Sequence, residues 1–196
     1  MEIIIHRVNK IKKLKELPLN FGCEVDIRAF NDILILNHEP YSNGDSLENF
    51  LSFYNHGTLI LNIKESGIEN DVIELLRKFN IKSWFLLDVE FPFIYQAVRK
   101  GIKNIAVRFS EDEPIEFCQN FINRASWVWI DTNTMFPVNP ENIPILNNFK
   151  KCLVCPERWG RPNDIPIYKR VMKEKGFEVD AIMTSFECVK FWIDEI

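Results

Sequence analysis

At 196 residues, with 46% hydrophobic residues and 13% aromatics, the chain has the makeup of a globular domain with a sizeable core, which excludes disorder. Its net charge of −4 speaks against a general nucleic-acid binder, which carries a basic surface. Five cysteines, an odd number, with no export signal at the start and no apolar stretch of transmembrane length, point to a reducing cytoplasm and to no membrane span.

The first predicted strand is EIIIH at 2–6, followed by Arg7 and the cluster Lys10, Lys12, Lys13 and Lys15. That cluster reads either as a solvated helix face or, beside an anion site, as a steering patch. The second strand is CEVDIR at 23–28, where alternation sends Glu24 and Asp26 to one side and Val25 to the other. Two carboxylates on one face either meet water or share a cation or a proton. Asn31-Asp32 is turn chemistry, so the strand is expected to continue as a hairpin through ILILNH at 33–38, carrying His38. Asp45 and Ser46 open a predicted helix over 46–54, before the strand TLILNIK at 58–64. Ser66-x-x-Glu69 predicts the start of the next helix, over 68–79.

WFLLD at 84–88 is the fourth strand, followed by a helix over 91–100 that ends at Gly101. NIAVRF at 104–109, a helix over 114–124 and WVWID at 127–131 continue the alternation. CLVCPE at 152–157, a helix over 165–175 ending at Gly176, AIMTS at 181–185 and a helix over 186–193 complete it. Cys152 and Cys155 form a CxxC without partner ligands and read as core residues. Alternating strands and helices imply parallel pairing with right-handed crossovers. Eight such units predict an α/β fold, a compact (β/α)8 TIM barrel with a β-hairpin extension after strand 2, in one domain spanning 1–196. No glycine-rich loop follows any strand, which disfavours nucleotide-binding folds.

Barrels gather their sites at the C-terminal ends of the strands, and the polar residues fall there. Asp88, Ser110 and Asp131 read as capping or turn residues at those ends, whereas strands one to three concentrate a reactive set. Glu24 and Asp26 are hard oxygen donors suited to Mg²⁺ or Ca²⁺, with Asn62 able to add a carbonyl oxygen. Zinc is disfavoured, because no Cys or His pair has ligand spacing. The cation, Lys64 and Arg7 would hold the charge of a phosphodiester and its pentavalent transition state. His6 and His38 would divide the proton work as acid and base. In the loop CPERWGRP at 155–162, Arg158 and Arg161 are either phosphate contacts or ordinary surface ion pairs, and Trp159 is a stacking surface for a sugar or head group.

These pieces, in this order, resemble the glycerophosphodiester phosphodiesterase family and the wider phospholipase-C-like phosphodiesterase barrels that include sphingomyelinase D. The matching segments are His6-Arg7, EVD at 24–26, NDILILNHE at 31–39, DSLENFL at 45–51, NIK at 62–64 and VDAIMTS at 179–185. The resemblance implies metal-assisted attack on phosphorus by a neighbouring substrate hydroxyl, giving a cyclic phosphate that is then hydrolysed, with His6 and His38 as the acid–base pair. The chain departs from the family in four ways: Val8 replaces a glycine, a Pro-Glu-Asn segment is missing, the chain between His6 and Glu24 is abbreviated, and Asn62 stands where an acidic ligand is usual. The expected partner is a small phosphodiester substrate. Two other readings stay open: a barrel that binds phosphodiesters without turning them over, and a sugar-phosphate isomerase or aldolase in which Lys64 forms a Schiff base.

Overall fold

Apolar runs with few polar interruptions fold as parallel strands covered on both faces. The computed structural model, which describes residues 1–193, shows this α/β arrangement. The chain divides into two compact units, one from Ile4 to Ile105, the other formed by Met1–Ile3 with the chain from Ala106 onward.

In the first unit lie the end of β1 (Glu2–Ile5), then α1 (Ile11–Glu16), β2 (Gly22–Phe30), β3 (Ile33–Leu36), β4 (Asp45–Ser46) and α2 (Leu47–Ser52). β5 (Leu59–Ile63), α3 (Glu69–Lys78), β6 (Trp84–Leu87) and α4 (Phe91–Arg99) follow. β1, β2, β5 and β6 pair in parallel, in that order, and Leu86 makes a parallel bridge to Ile105. The register opposes Asp26 to Asn62, and this fixes the site.

β2 is the long strand of the unit. Its start pairs with β1 and Cys23–Ile27 with β5; from Ile27 to Phe30 it pairs antiparallel with β3. Asn31 and Asp32 both adopt left-handed backbone (φ 49° and 61°), the conformation a two-residue hairpin turn needs. The hairpin extension is therefore present, and β4 pairs antiparallel along the outer edge of β3, its Ser46 capping α2 by accepting from Asn49 N. Asp45 does something further: its carboxylate accepts the N–H of Ile11 (2.8 Å), the first residue of α1.

The second unit contains β7 (Ala106–Phe109), α5 (Ile115–Gln119), β8 (Trp127–Ile130), α6 (Ile143–Leu146), β9 (Lys150–Val154), α7 (Ile165–Lys175), β10 (Ala181–Thr184) and α8 (Val189–Ile193). Its four strands run parallel in chain order. Every residue of β8 and β10 is buried, β8 as its unbroken apolar sequence demands, and β10 with the hydroxyl of Thr184 bonded to Glu157. Trp129 here, and Phe50 and Phe85 in the first unit, are wholly enclosed, each contributing roughly 1.5–3 kcal/mol of burial.

The eight predicted strands all appear, within three residues at most of their ends. The helix predicted over 68–79 runs Glu69–Lys78, after Gly67 turns left-handed (φ 98°) and Glu69 reaches back to accept its N–H. Two other helices depart from their expected spans by more than two residues, for local reasons. The helix expected over 114–124 stops at Gln119, and the chain turns through Asn120 and a left-handed Asn123. The last helix opens as a 3₁₀ turn, Phe186–Cys188. All five cysteines are free, and Cys152 and Cys155 are buried in the core. Among the described residues no helix is long and apolar enough to cross a membrane.

Candidate active site

Glu24 and Asp26 project from the middle of β2, and both are about 1% exposed. Such a pair needs partners, and the chain beyond β1 supplies them. It continues alongside β2, with Val8 N donating to Glu24 O (2.8 Å). Arg7 adopts left-handed backbone (φ 58°), which in a non-glycine residue persists only where surrounding contacts enforce it. That turn aims Arg7 N–H at Glu24 Oε2 (2.8 Å) and brings Arg7 Nε to 3.6 Å from Asp26 Oδ2. Asn9 then clamps Asp26 twice: its amide donates to Oδ2 (2.7 Å), and its carbonyl accepts from Asp26 N (2.8 Å).

From β5 come two more partners. Asn62 Nδ2 donates to Glu24 Oε1 (3.0 Å), and Lys64 Nζ lies 3.4 Å from Asp26 Oδ1. Lys64 also reaches Asp88 Oδ2 (3.6 Å), and Asp88, just past β6, is another left-handed non-glycine residue (φ 56°). His6 completes the cluster, with Nε2 3.9 Å from Glu24 Oε2. Burial, and then the neighbouring Asp26, push the Glu24 carboxyl up to about 7.

His38 is placed by the hairpin register. Asn37 N donates to Asp26 O (3.0 Å), and His38 is the next residue. Arg28 fixes that loop to the end of β5, donating through Nε to His38 O (3.0 Å) and through Nη1 to Lys64 O (3.2 Å). The His38 ring places Nδ1 2.7 Å from Glu39 Oε1.

The structure thus gathers His6, Arg7, Glu24, Asp26, Asn62 and Lys64, and ties the His38 loop to the same strand ends. The sequence reading missed Asn9, whose only signal was its place three residues after His6. It also treated Asp88 as a turn residue, whereas Asp88 is a turn residue that in addition contacts Lys64.

Arg158, Trp159 and Arg161 belong to the other unit. Arg161 is committed to its own neighbourhood, donating to Thr132 O, Asp164 Oδ2 and Tyr168 OH. Trp159 Nε1 donates to the buried Asp131 (3.1 Å), and its ring remains 43% exposed. Arg158 stands 5.4 Å from that ring, an exposed guanidinium over an aromatic face.

The Mg²⁺ or Ca²⁺ expected from the sequence can be tested against this donor set. Each of the four oxygens of Glu24 and Asp26 already faces an N–H or a cationic nitrogen of the chain. Asn62 turns its NH₂ toward Glu24, and its carbonyl oxygen is buried without a partner. Among the described residues no three His, Cys, Asp or Glu side chains are grouped to hold a metal ion. As arranged, the residues do not fit a resident divalent cation.

No family model matches the chain, and no curated protein does. Solved structures do. A glycerophosphodiester phosphodiesterase from Agrobacterium tumefaciens superposes with a TM-score of 0.66 at 12% identity, over 93% of this chain and 94% of that one. A glycerophosphoryl diester phosphodiesterase from Parabacteroides distasonis gives a TM-score of 0.53 at 13% identity, over 97% and 85%. The chain has the fold of these phosphodiesterases.

Proposed function

We propose that this chain is a divergent member of the glycerophosphodiester phosphodiesterase family, a phosphoric diester hydrolase acting on a small phosphodiester. The single observation that carries this reading is the convergence of His6, Arg7 and Lys64 on the buried Glu24–Asp26 pair, on a fold shared with two phosphodiesterases. Arg7 and Lys64 hold the phosphoryl oxygens by charge-assisted hydrogen bonds. His38 serves as base: its Nδ1–H donates to the Glu39 carboxylate, which leaves Nε2 as the acceptor. His6, beside the Glu24 carboxyl, serves as acid.

In this reading His38 removes the proton of a substrate hydroxyl next to the diester. That oxygen bonds to phosphorus, the phosphorus–oxygen bond to the leaving alcohol breaks, and His6 gives the alcohol its proton. A cyclic phosphate results, which water opens to a monoester. The chain works in a reducing compartment such as the cytoplasm, in keeping with its free cysteines.

A panel of phosphodiesters bearing a neighbouring hydroxyl, followed by phosphorus NMR, tests this. The protein is expected to form a cyclic phosphate or a monoester. His6→Ala and His38→Ala should each lower kcat by roughly 10²–10⁴-fold, and Glu39→Gln should lower kcat with KM little changed. Binding of diesters without turnover would replace the enzyme with a phosphodiester-binding protein.

A further inference from the structure

We propose that this site holds its phosphodiester without a divalent cation, Arg7 and Lys64 carrying the positive charge that an ion would bring. The inference deepens the phosphodiester reading above and rests on it.

The case begins with occupancy. A divalent ion between Glu24 and Asp26 would bind through their carboxylate oxygens and a third oxygen donor. Glu24 Oε1 instead faces the Asn62 NH₂ at 3.0 Å, and Glu24 Oε2 faces the Arg7 backbone N–H at 2.8 Å. Asp26 Oδ2 accepts from Asn9 at 2.7 Å, and Asp26 Oδ1 lies 3.4 Å from Lys64 Nζ. A cation entering here meets donors on both carboxylates and two fixed positive side chains within 4 Å of Asp26. Among the oxygens of Glu24, Asp26 and Asn62, the Asn62 carbonyl is the one without a hydrogen-bond partner. Asn62 does by hydrogen bonding what an ion would do by coordination: it bridges from β5 to the Glu24 carboxylate.

For an anion the same geometry is favourable. Lys64 spends its ammonium on Asp26 and Asp88, and a third N–H remains for a phosphoryl oxygen. Arg7 engages Asp26 through Nε, its side chain is 45% exposed, and the two outer nitrogens form the fork that fits a phosphate. Asp26 orients both cations and Asp88 orients Lys64, as a metal ion's ligands orient the metal.

The test uses the full chain stripped with EDTA and two probes, inorganic phosphate and the metals themselves. By calorimetry, phosphate should bind equally with EDTA and with added Mg²⁺ or Ca²⁺. Lys64→Met should weaken it by roughly tenfold or more, while Lys64→Arg, which keeps the charge, should restore it. Calcium and magnesium titrations of the wild type should show no saturable binding below millimolar concentration. Asn62→Glu, which adds a third carboxylate, should bring calcium affinity up by roughly tenfold. Tight saturable metal binding that Asp26→Asn abolishes, or phosphate binding that EDTA removes or that never appears, overturns the inference. Turnover that needs a metal overturns it and leaves the phosphodiester reading intact. Metal-free phosphate binding without any turnover does the reverse.

Discussion

Asn62 Nδ2 stands 3.0 Å from Glu24 Oε1, joining two buried side chains on neighbouring parallel strands. The bond satisfies a carboxylate oxygen that water does not reach. Replacing the amide by an isosteric apolar group, Asn62→Leu, removes the donor and leaves the acceptor buried. The expected cost is roughly 1–3 kcal/mol, read from the urea midpoint at unchanged slope. A loss within the scatter of surface substitutions would mean that Glu24 finds another donor.

Glu24 also makes stability depend on pH. Its carboxyl lies near 4.5 in the unfolded chain and is pushed up to about 7 in the fold, by burial first and Asp26 second. A group raised on folding contributes fully below its unfolded value, and the contribution is lost as pH rises through the folded one. The wild type should therefore lose stability relative to Glu24→Gln between about pH 4.5 and 7, by on the order of 3 kcal/mol. The two proteins should converge in acid. Paired urea titrations across that range measure the difference; parallel curves would show that Glu24 stays ionised throughout.

The strands and the face that Glu24 and Asp26 share could be read from the sequence because both depend on local, short-period patterns. The hairpin was equally legible, since Asn31-Asp32 is the kind of pair that tolerates two left-handed residues in succession. What could not be read was the identity of each carboxylate's partner. Asn9 looks like any loop asparagine until the chain past β1 runs beside β2, and Arg7 bends back only because its backbone turns left-handed. The expected metal followed from residue types alone. The short distances to Arg7, Asn9, Asn62 and Lys64 are tertiary facts, and they alter the chemistry assigned to the same two acids.

Gly44 closes the loop that carries His38, and a Cβ there would sit 2.3 Å from the carbonyl oxygen of Leu36. That neighbour is main chain of β3, paired on its other side with Ile27, so it cannot swing aside. Gly44→Ala should push the 37–44 loop off the sheet, costing roughly 1–3 kcal/mol. Because Asn37 N–H is bonded to Asp26 O, the displacement reaches His38 directly. Turnover should fall further than the loss of folded protein explains, with phosphate affinity retained, since Arg7 and Lys64 lie outside the loop. Equal activity per folded molecule would detach His38 from the chemistry.

Asp131 shows what a buried carboxylate looks like when its work is structural. It ends β8 at about 1% exposure and receives Trp129 Nε1 (3.3 Å), Trp159 Nε1 (3.1 Å), Arg108 Nη2 (3.1 Å) and its neighbour's N–H from Thr132 (2.9 Å). Two indoles and a guanidinium converge on one acid, so the acid positions the loop that bears Trp159. Removing it leaves the wholly buried Trp129 with an N–H that cannot reach water, and takes from Arg108 the carboxylate that Nη2 engages, while Nε keeps Glu113. Asp131→Ala should cost roughly 3–5 kcal/mol, and Asp131→Asn less, because the amide oxygen still accepts. Tryptophan emission should shift to the red in the alanine variant as Trp159 loses its anchor. A change within about 0.5 kcal/mol, the range of ordinary surface substitutions, would mean that the indoles hold their places by packing alone.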